Sequence, residues 1–320
     1  MSIGMSARRV AWLSAWVWLC LCSPVAIGRE VIVVVKSLQA DPYEDAFQGF
    51  KETIVHKGYQ VDIRQDILRE GEQAKADILA SIAEQRPRLI LTLGSPATAW
   101  IQRQITDVPL VFCMVLNPVD SGFIRSMQSS GNNATGASLD IPVGVQFETL
   151  KAVVPALRRV GVFYNPQETG EIVKRASKVA ADLGLELIAV PVTSAEKLQE
   201  SFDSVKKRID ALWSVADSTV FSSDRAIEFL LRRTVEYKIP FMGLSPAFVR
   251  AGALLALSVD YKDVGMQCGE QAAQVLDGHL PASVPITAPR RVTLYLNQNV
   301  ARAIGVTIPP RMADGAIILK

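Results

Sequence analysis

Val31-Ile32-Val33-Val34-Val35 is an unbroken apolar run, rich in β-branched residues. A run that short suits a parallel strand buried on both faces. The residues after it take a helical period. Asp45 to Lys57 places Phe47, Phe50 and Ile54 on one face, and Gly58 ends the segment. Tyr59 to Ile67 reads as a second strand, and Glu72 to Gln85 as a helix with Ala74, Ile78 and Ile82 inward. Arg88 to Leu93 is apolar again and stops at Gly94-Ser95-Pro96. A helix runs to Ile105, and the strand Pro109 to Leu116 stops at Asn117-Pro118.

The series then restarts. Val160-Gly161-Val162-Phe163-Tyr164 lies about 130 residues after the first run and ends at Asn165-Pro166. Gly170 to Leu183 is a helix closed by Gly184, and Leu185 to Val190 a strand. Ala195 to Arg208 is a helix, and Ile209 to Val215 a strand ending at Asp217-Ser218-Thr219. A further helix leads to the strand Ile239 to Gly243, before Ser245-Pro246. Two matched βαβ series predict an α/β protein of two similar doubly wound parallel-sheet lobes joined by a hinge. The chain must cross between lobes near Ser138 to Pro142 and again after Ala253. The expected division is a signal peptide over 1–28, lobe one from 29–140 plus about 258–287, and lobe two from 141–257 plus about 288–320. The helix Asp263 to Leu276 and the tail to Lys320 are not placed by period alone.

In such sheets ligands lie outside the carboxyl ends of the strands. The candidate ligand contacts are therefore Ser37, Gln39, Ser95, Pro96, Ala97, Thr98 and Asn117 in lobe one. In lobe two they are Tyr164, Asn165, Asp217, Ser218, Thr219 and Ser245. Ser95-Pro96 opens a helix whose free N–H groups, with Thr98 in the first turn, suit a carboxylate; the same residues also read as a plain cap. Asp217 reads either as a cap or as the acid that pairs with a ligand ammonium. Tyr164-Asn165 and Asn117-Pro118 read either as ligand contacts or as simple turns. Trp100 and Trp213 lie near strand ends, where ligand should move their fluorescence.

Composition narrows the class. The chain has 320 residues, 49% hydrophobic and 21% charged, an ordinary globular balance. Arg8 and Arg9 account for the whole formal charge of +2. A neutral body has no counterion-release drive toward nucleic acid. The Arg pair precedes the uncharged stretch Val10 to Ile27, and Ala26-Ile27-Gly28 offers a cleavage site before Arg29, a secretory pattern. An uncleaved anchor and a lipoprotein site at Cys20 or Cys22 are the alternatives. The mature chain is expected in the periplasm, with Cys113 and Cys268 as two buried thiols or, in that oxidising compartment, a disulfide. Enzymatic patterns are missing: no G-x-G-x-x-G follows a strand, no phosphate-loop motif occurs, and two histidines without metal spacing give no zinc site. Gly243-Leu244-Ser245-Pro246-Ala247 has half of a nucleophile elbow, and its base would have to be His56 or His279. No cofactor is expected.

Several segments, in order, carry a resemblance: Leu-Gly-Ser-Pro-Ala-Thr at 93–98, Val-Pro-Leu-Val-Phe at 108–112, Asn-Pro-Val at 117–119, Gly-Asn-Asn-Ala-Thr-Gly at 131–136, Val-Gly-Val-Phe-Tyr-Asn-Pro at 160–166, Ala-Asp-Ser-Thr-Val at 216–220 and Ala-Gly-Ala-Leu-Leu-Ala-Leu-Ser-Val-Asp-Tyr at 251–261. The chain resembles, from about Val31 to Pro309, the solute-binding proteins of ABC importers with the type I periplasmic-binding fold, in a group that includes tryptophan and aromatic amino-acid binders. The resemblance implies a clamp without chemistry of its own. It implies a small-molecule ligand held at the Ser95–Thr98 turn, Asn117, Tyr164-Asn165 and Asp217, an inner-membrane ABC permease as partner, and a monomer. This chain departs from the group at Asn117, where Asp is usual, and at Leu244-Ser245-Pro246, where an acidic turn is common. A sensor for a membrane receptor is the alternative on the same fold, and an exported hydrolase a remote one.

Overall fold

The structure is a computed structural model that describes Met1 and residues 30–320. The expected signal segment and cleavage site, with Cys20 and Cys22, fall outside the described residues.

The first sheet contains β1 (Glu30–Lys36), β2 (Val61–Ile67), β3 (Leu89–Leu93), β4 (Leu110–Val115) and β5 (Ala134–Ser138), all parallel, in the order β2-β1-β3-β4-β5. Helices α1 (Asp41–His56), α2 (Glu72–Gln85) and α3 (Ser95–Gln104) are its crossovers. The opening apolar run is buried for the reason its composition implies. Ile32 and Val34 point into the core under α1, while Val33 and Val35 point into the core under α2 and α3. All four are fully buried.

The second sheet holds β6 (Arg159–Tyr164), β7 (Glu186–Pro191), β8 (Ala211–Trp213), β9 (Phe241–Gly243), β10 (Leu255–Val259), β11 (Val292–Asn297) and β12 (Ala316–Leu319). Its order is β12-β11-β10-β9-β8-β6-β7, and only the β10–β11 pair is antiparallel. Helices α4 (Val143–Val153), α5 (Gly170–Asp182), α6 (Leu198–Val205), α7 (Asp224–Glu236) and α8 (Pro246–Ala251) belong to this lobe. The next helix, α9 (Tyr261–Leu276), returns to lobe one and packs on α1. The contact is close because glycines line it. A Cβ on Gly265 would lie 1.8 Å from the Ala46 carbonyl oxygen, and one on Gly49 would lie 2.0 Å from that of Lys262. Short α10 (Gln298–Ile304) and α11 (Pro310–Ala313) complete lobe two.

Three strands of chain therefore cross between the sheets: 139–142, the residues around Asp260, and 288–291. The last two run side by side, with the Asp260 N–H donating to the Arg291 carbonyl at 3.2 Å. The third is pinned to α9, where the Gln267 side chain donates to the Ala288 carbonyl and accepts from the Arg290 N–H. Arg290 and Arg291 also meet the buried carboxylate of Asp263. Cys113 and Cys268 are free, fully buried neighbours between β4 and α9. Among the described residues no helix is long and apolar enough to cross a membrane.

Candidate functional site

A cavity of about 400 Å³ opens between the lobes. Lobe one contributes the end of β4, Leu116-Asn117, and the crossing 139–142. Lobe two contributes the ends of β8 and β9, from Trp213 to Ala216 and from Met242 to Leu244, with Ile172 and Arg175 of α5 and Leu257 of β10. Two larger hollows, of about 620 and 700 Å³, lie along α7 and are lined by lobe two alone. The smaller cavity carries the site reading because it draws on both lobes at carboxyl strand ends.

The backbone at the end of β4 is shaped to reach it. The register of β4 against β5 shifts between Phe112 and Val115, and Met114 has φ 60°. Asn117 also has a left-handed φ of 49°. A β-bulge re-aims a strand end, and Asn tolerates the left-handed region better than most residues. The Asn117 N–H donates to Asp140 Oδ2 at 2.7 Å, and the Ser138 hydroxyl donates to the same oxygen at 2.7 Å. Asp140 Oδ1 has no hydrogen-bond partner among the described residues. Burial, the largest influence, pushes the Asp140 carboxyl above the usual aspartate value in spite of those donors. A carboxylate with a spare oxygen and a solvation deficit is a natural partner for a cation.

Arg175 faces it from lobe two. Its guanidinium forks onto Asp120, Nη1 to Oδ1 at 2.9 Å and Nη2 to Oδ2 at 2.5 Å. That hydrogen bonding is the first cause that raises the Arg175 pKa, with burial opposing it and the Asp120 charge adding to it. Most of the remaining wall is apolar, with Ile141, Val143, Ile172, Trp213, Val215, Met242 and Leu257, and Asn117, Gln146 and Ser214 add neutral polar side chains. Trp213 is nearly fully buried, meets Phe147 edge to face at 5.1 Å, and donates its Nε1–H to Gln146 Oε1 at 2.7 Å. Gln146 in turn donates to the Ile141 carbonyl at 2.7 Å, so one amide ties the crossing strand to the cavity floor.

The strand-end candidates of the sequence fare unevenly. Asn117 lines the cavity, and Asp217 to Thr219 lie just past it. Asp217 is 2% exposed and both oxygens are occupied: Oδ2 accepts from Asn165 N–H and Thr169 Oγ1, both at 2.6 Å, and Oδ1 from Thr219 and Val220 N–H, both at 3.0 Å. Asn165 donates to Thr219 Oγ1, and Ser218 bonds twice to Glu168. These groups staple the turn after β6 to the turn after β8. The N-cap of α7 is Ser223, so Asp217 caps a turn rather than that helix, with both its oxygens held by protein donors.

Tyr164 is half-buried against the lobe-two core, and Ser245 caps α8 without a side-chain bond. Ser37 Oγ accepts the Ala97 N–H at 2.9 Å, so Ser37 caps α3 and Ser95 is its first residue rather than its cap. Gly94 is required there: its φ is +96°, and a Cβ would meet Ser37 Oγ at 2.6 Å. Thr98 turns inward, bonding the Gly94 carbonyl and Thr92, and Ala97 is fully buried. Pro96 and Gln39 are exposed. Trp213 lines the cavity, while Trp100 packs on the far core of lobe one.

Asp140 and Arg175 were not among the strand-end candidates. Asp140 sits in the predicted crossing, and its position just past Ser138 was the available signal. Arg175 lies on the polar face of a helix and carries none. His56 ends α1, and His279 bonds the Gln274 carbonyl. Among the described residues, no cluster of His, Cys, Asp or Glu is arranged to hold a metal.

Comparisons with known proteins agree with this architecture. The family model described as ABC transporter substrate binding protein matches residues 31–317. A tyrosine-binding protein of Clostridioides difficile is 24% identical over 267 residues, 82% of this chain and 76% of that protein. Among solved structures, the ligand-free, open form of a substrate binding protein with adhesive properties from Clostridium difficile superposes with a TM-score of 0.77 at 21% identity, covering 91% of this chain and 99% of the other. A domain from Streptococcus pneumonia in complex with L-Trp gives 0.66 at 22% identity, covering 91% and 100%. The two lobes have the type I periplasmic-binding fold, and the chain belongs to the ABC transporter substrate binding protein family.

Proposed function

We propose that this protein captures an amino acid with a large apolar side chain between its lobes and hands it to the membrane permease of an ABC importer. The observation that carries the reading is the cavity's composition: one carboxylate with a spare oxygen, one guanidinium, and a largely apolar wall centred on Trp213, with Asn117, Gln146 and Ser214 as its neutral polar side chains. A zwitterion needs one group of each sign, and an aromatic or long aliphatic side chain needs the apolar wall. The relatives named for tyrosine and L-Trp support that class. Of the residues chosen from sequence, Asn117 contacts the ligand, while Asp217 acts as a positioning residue for the floor at Ala216.

The three crossing strands act as the hinge. Leu38, Leu116 and Val119 keep 46%, 44% and 40% of their surface exposed at the carboxyl edge of the first sheet. Closure over a ligand covers such residues, so ligand and apolar burial together favour the closed form. The leader pattern before Arg29 routes the chain to the periplasm, where delivery takes place. Catalysis has no part in this cycle.

The test is a thermal-shift screen of the chain from Arg29 against amino acids, peptides, nucleosides, sugars and aromatic acids, with small-angle scattering on any hit. A ligand at 100 times its Kd should add about 2.7 kcal/mol. Stabilisation by tyrosine, tryptophan or phenylalanine with a smaller radius of gyration is the expected result. A hit confined to sugars or nucleosides, or binding without compaction, would overturn the reading.

A further inference from the structure

We propose that Arg175 anchors the ligand's carboxylate and that Asp120 holds its place until a ligand binds. The inference rests on the reading of the cavity as an amino-acid site. Among the described residues, Arg175 is the one cationic side chain that lines the cavity. It reaches from α5 in lobe two to Asp120, in the loop after β4 of lobe one. Among the described residues this is the one salt bridge that joins the lobes away from the crossing strands. The fork-to-fork geometry is the one a guanidinium offers to any carboxylate, whether from the protein or from a ligand.

The pair is built to be exchanged. Arg175 and Asp120 keep 53% and 29% of their side-chain surface exposed, so solvent screens them and an outside carboxylate can compete. Asp140 stands ready for the other end of the ligand, with Oδ1 open and burial opposing its charge. A zwitterion would then run from Asp140 of lobe one to Arg175 of lobe two. The protein's own bridge is replaced by one that passes through the ligand, and closure becomes dependent on a molecule bearing both charges.

The rival anchor is the start of α3, and its geometry is less suited. The Ala97 N–H is already bonded to Ser37 and the Thr98 N–H to Gly94. None of Ser95 to Thr98 lines the cavity.

Isothermal titration separates these assignments. The probes are L-tryptophan and L-tyrosine, with tryptamine and tyramine as the same molecules without the carboxylate. The proteins are the wild type, Arg175→Gln, Asp120→Asn and the double variant; both positions are exposed, and circular dichroism checks folding. Arg175→Gln should weaken the amino acid by roughly 10- to 100-fold and leave the amine within about twofold. Asp120→Asn should tighten the amino acid by about two- to fivefold, and only while Arg175 is present. Unchanged amino-acid affinity in Arg175→Gln would overturn the anchor and return the role to α3. Weaker binding in Asp120→Asn would overturn the place-holding role. A wild type that binds neither amino acid nor amine would sink the functional reading itself, a failure visible before any variant is made.

Discussion

Asp217→Ala should damage the fold rather than the recognition of charge. The substitution removes an acceptor that is 2% exposed and holds four donors at 2.6 to 3.0 Å. A hydrogen bond to a charged group contributes about 1.5–3 kcal/mol, so a simple sum would be several times that. The sum overstates the loss, because the donors act as a unit and those of the half-buried Asn165 and Thr219 regain water. Breaking a buried charged network by removing one partner costs about 3–5 kcal/mol, and that is the expected loss. At roughly 2–4 °C per kcal/mol for a domain of this size, Tm falls by about 10 °C. Asp217→Asn should cost less, since one oxygen still serves Thr219 and Val220, while its NH2 faces the Asn165 N–H.

The assay pairs thermal unfolding with titration of the folded protein at low temperature. Affinity should change far less than the roughly tenfold expected when a charged contact to ligand is lost. The opposite pattern, an unchanged Tm with binding abolished, would refute the staple and restore Asp217 as the ammonium partner. Because the two readings move different observables, one variant decides between them.

Three further outcomes follow from other parts of the structure. Asp140→Asn should weaken amino-acid binding yet raise Tm at neutral pH. Burial raises the folded carboxyl's pKa, so any stability it contributes is present below the unfolded pKa and lost as pH rises through the folded one. The gain in Tm should vanish on acidification, whereas wild-type affinity should fall as pH drops through that raised value; a Tm deficit at pH 7 would count against this. Gly265→Ala should cost about 3 kcal/mol or more by urea unfolding, because its Cβ meets a backbone oxygen at 1.8 Å and α9 must lift from α1; a neutral result would mean the helices are not so closely packed. In the chain from Arg29, a thiol reagent should find no reactive group in the native state and two after denaturation, since both sulfurs are fully buried and burial with the Cys113 neighbour pushes the Cys268 thiol up; no thiols after denaturation would mean a disulfide.

The strands that sequence shows best are those buried on both faces. Val31 to Val35 and Val160 to Tyr164 each feed two cores, so every position is apolar and the run stands out. β5 escaped notice because Ala134-Thr135-Gly136-Ala137-Ser138 is small rather than hydrophobic. Gly136 lies against Phe112, where a side chain would clash. β11 and β12 pair beyond the matched series and have no counterpart in the first lobe. The cavity opens at strand ends, as the topology leads one to expect, but the Arg175–Asp120 pair beside it depends on a relation between lobes. Arg175 acquires meaning only from Asp120, 55 residues away in the chain, and no spacing rule reaches that far.

The two aspartates show why an acid at a strand end can be read either way. In each lobe the N–H of an Asn-Pro turn is caught by an aspartate oxygen: Asn117 by Asp140 at 2.7 Å, and Asn165 by Asp217 at 2.6 Å. The local chemistry is the same, and the difference lies in what the second oxygen meets. In lobe two it receives the N–H groups of Thr219 and Val220, so the carboxylate is saturated and its work is to hold two turns together. In lobe one the chain leaves for the hinge at the next residues, no turn folds back onto Asp140, and its second oxygen stays open. A carboxylate short of donors in a half-buried site gains more from an ammonium than a saturated one does. The crossing that makes Asp140 look like linker in the sequence is therefore what leaves its second oxygen without a donor among the described residues.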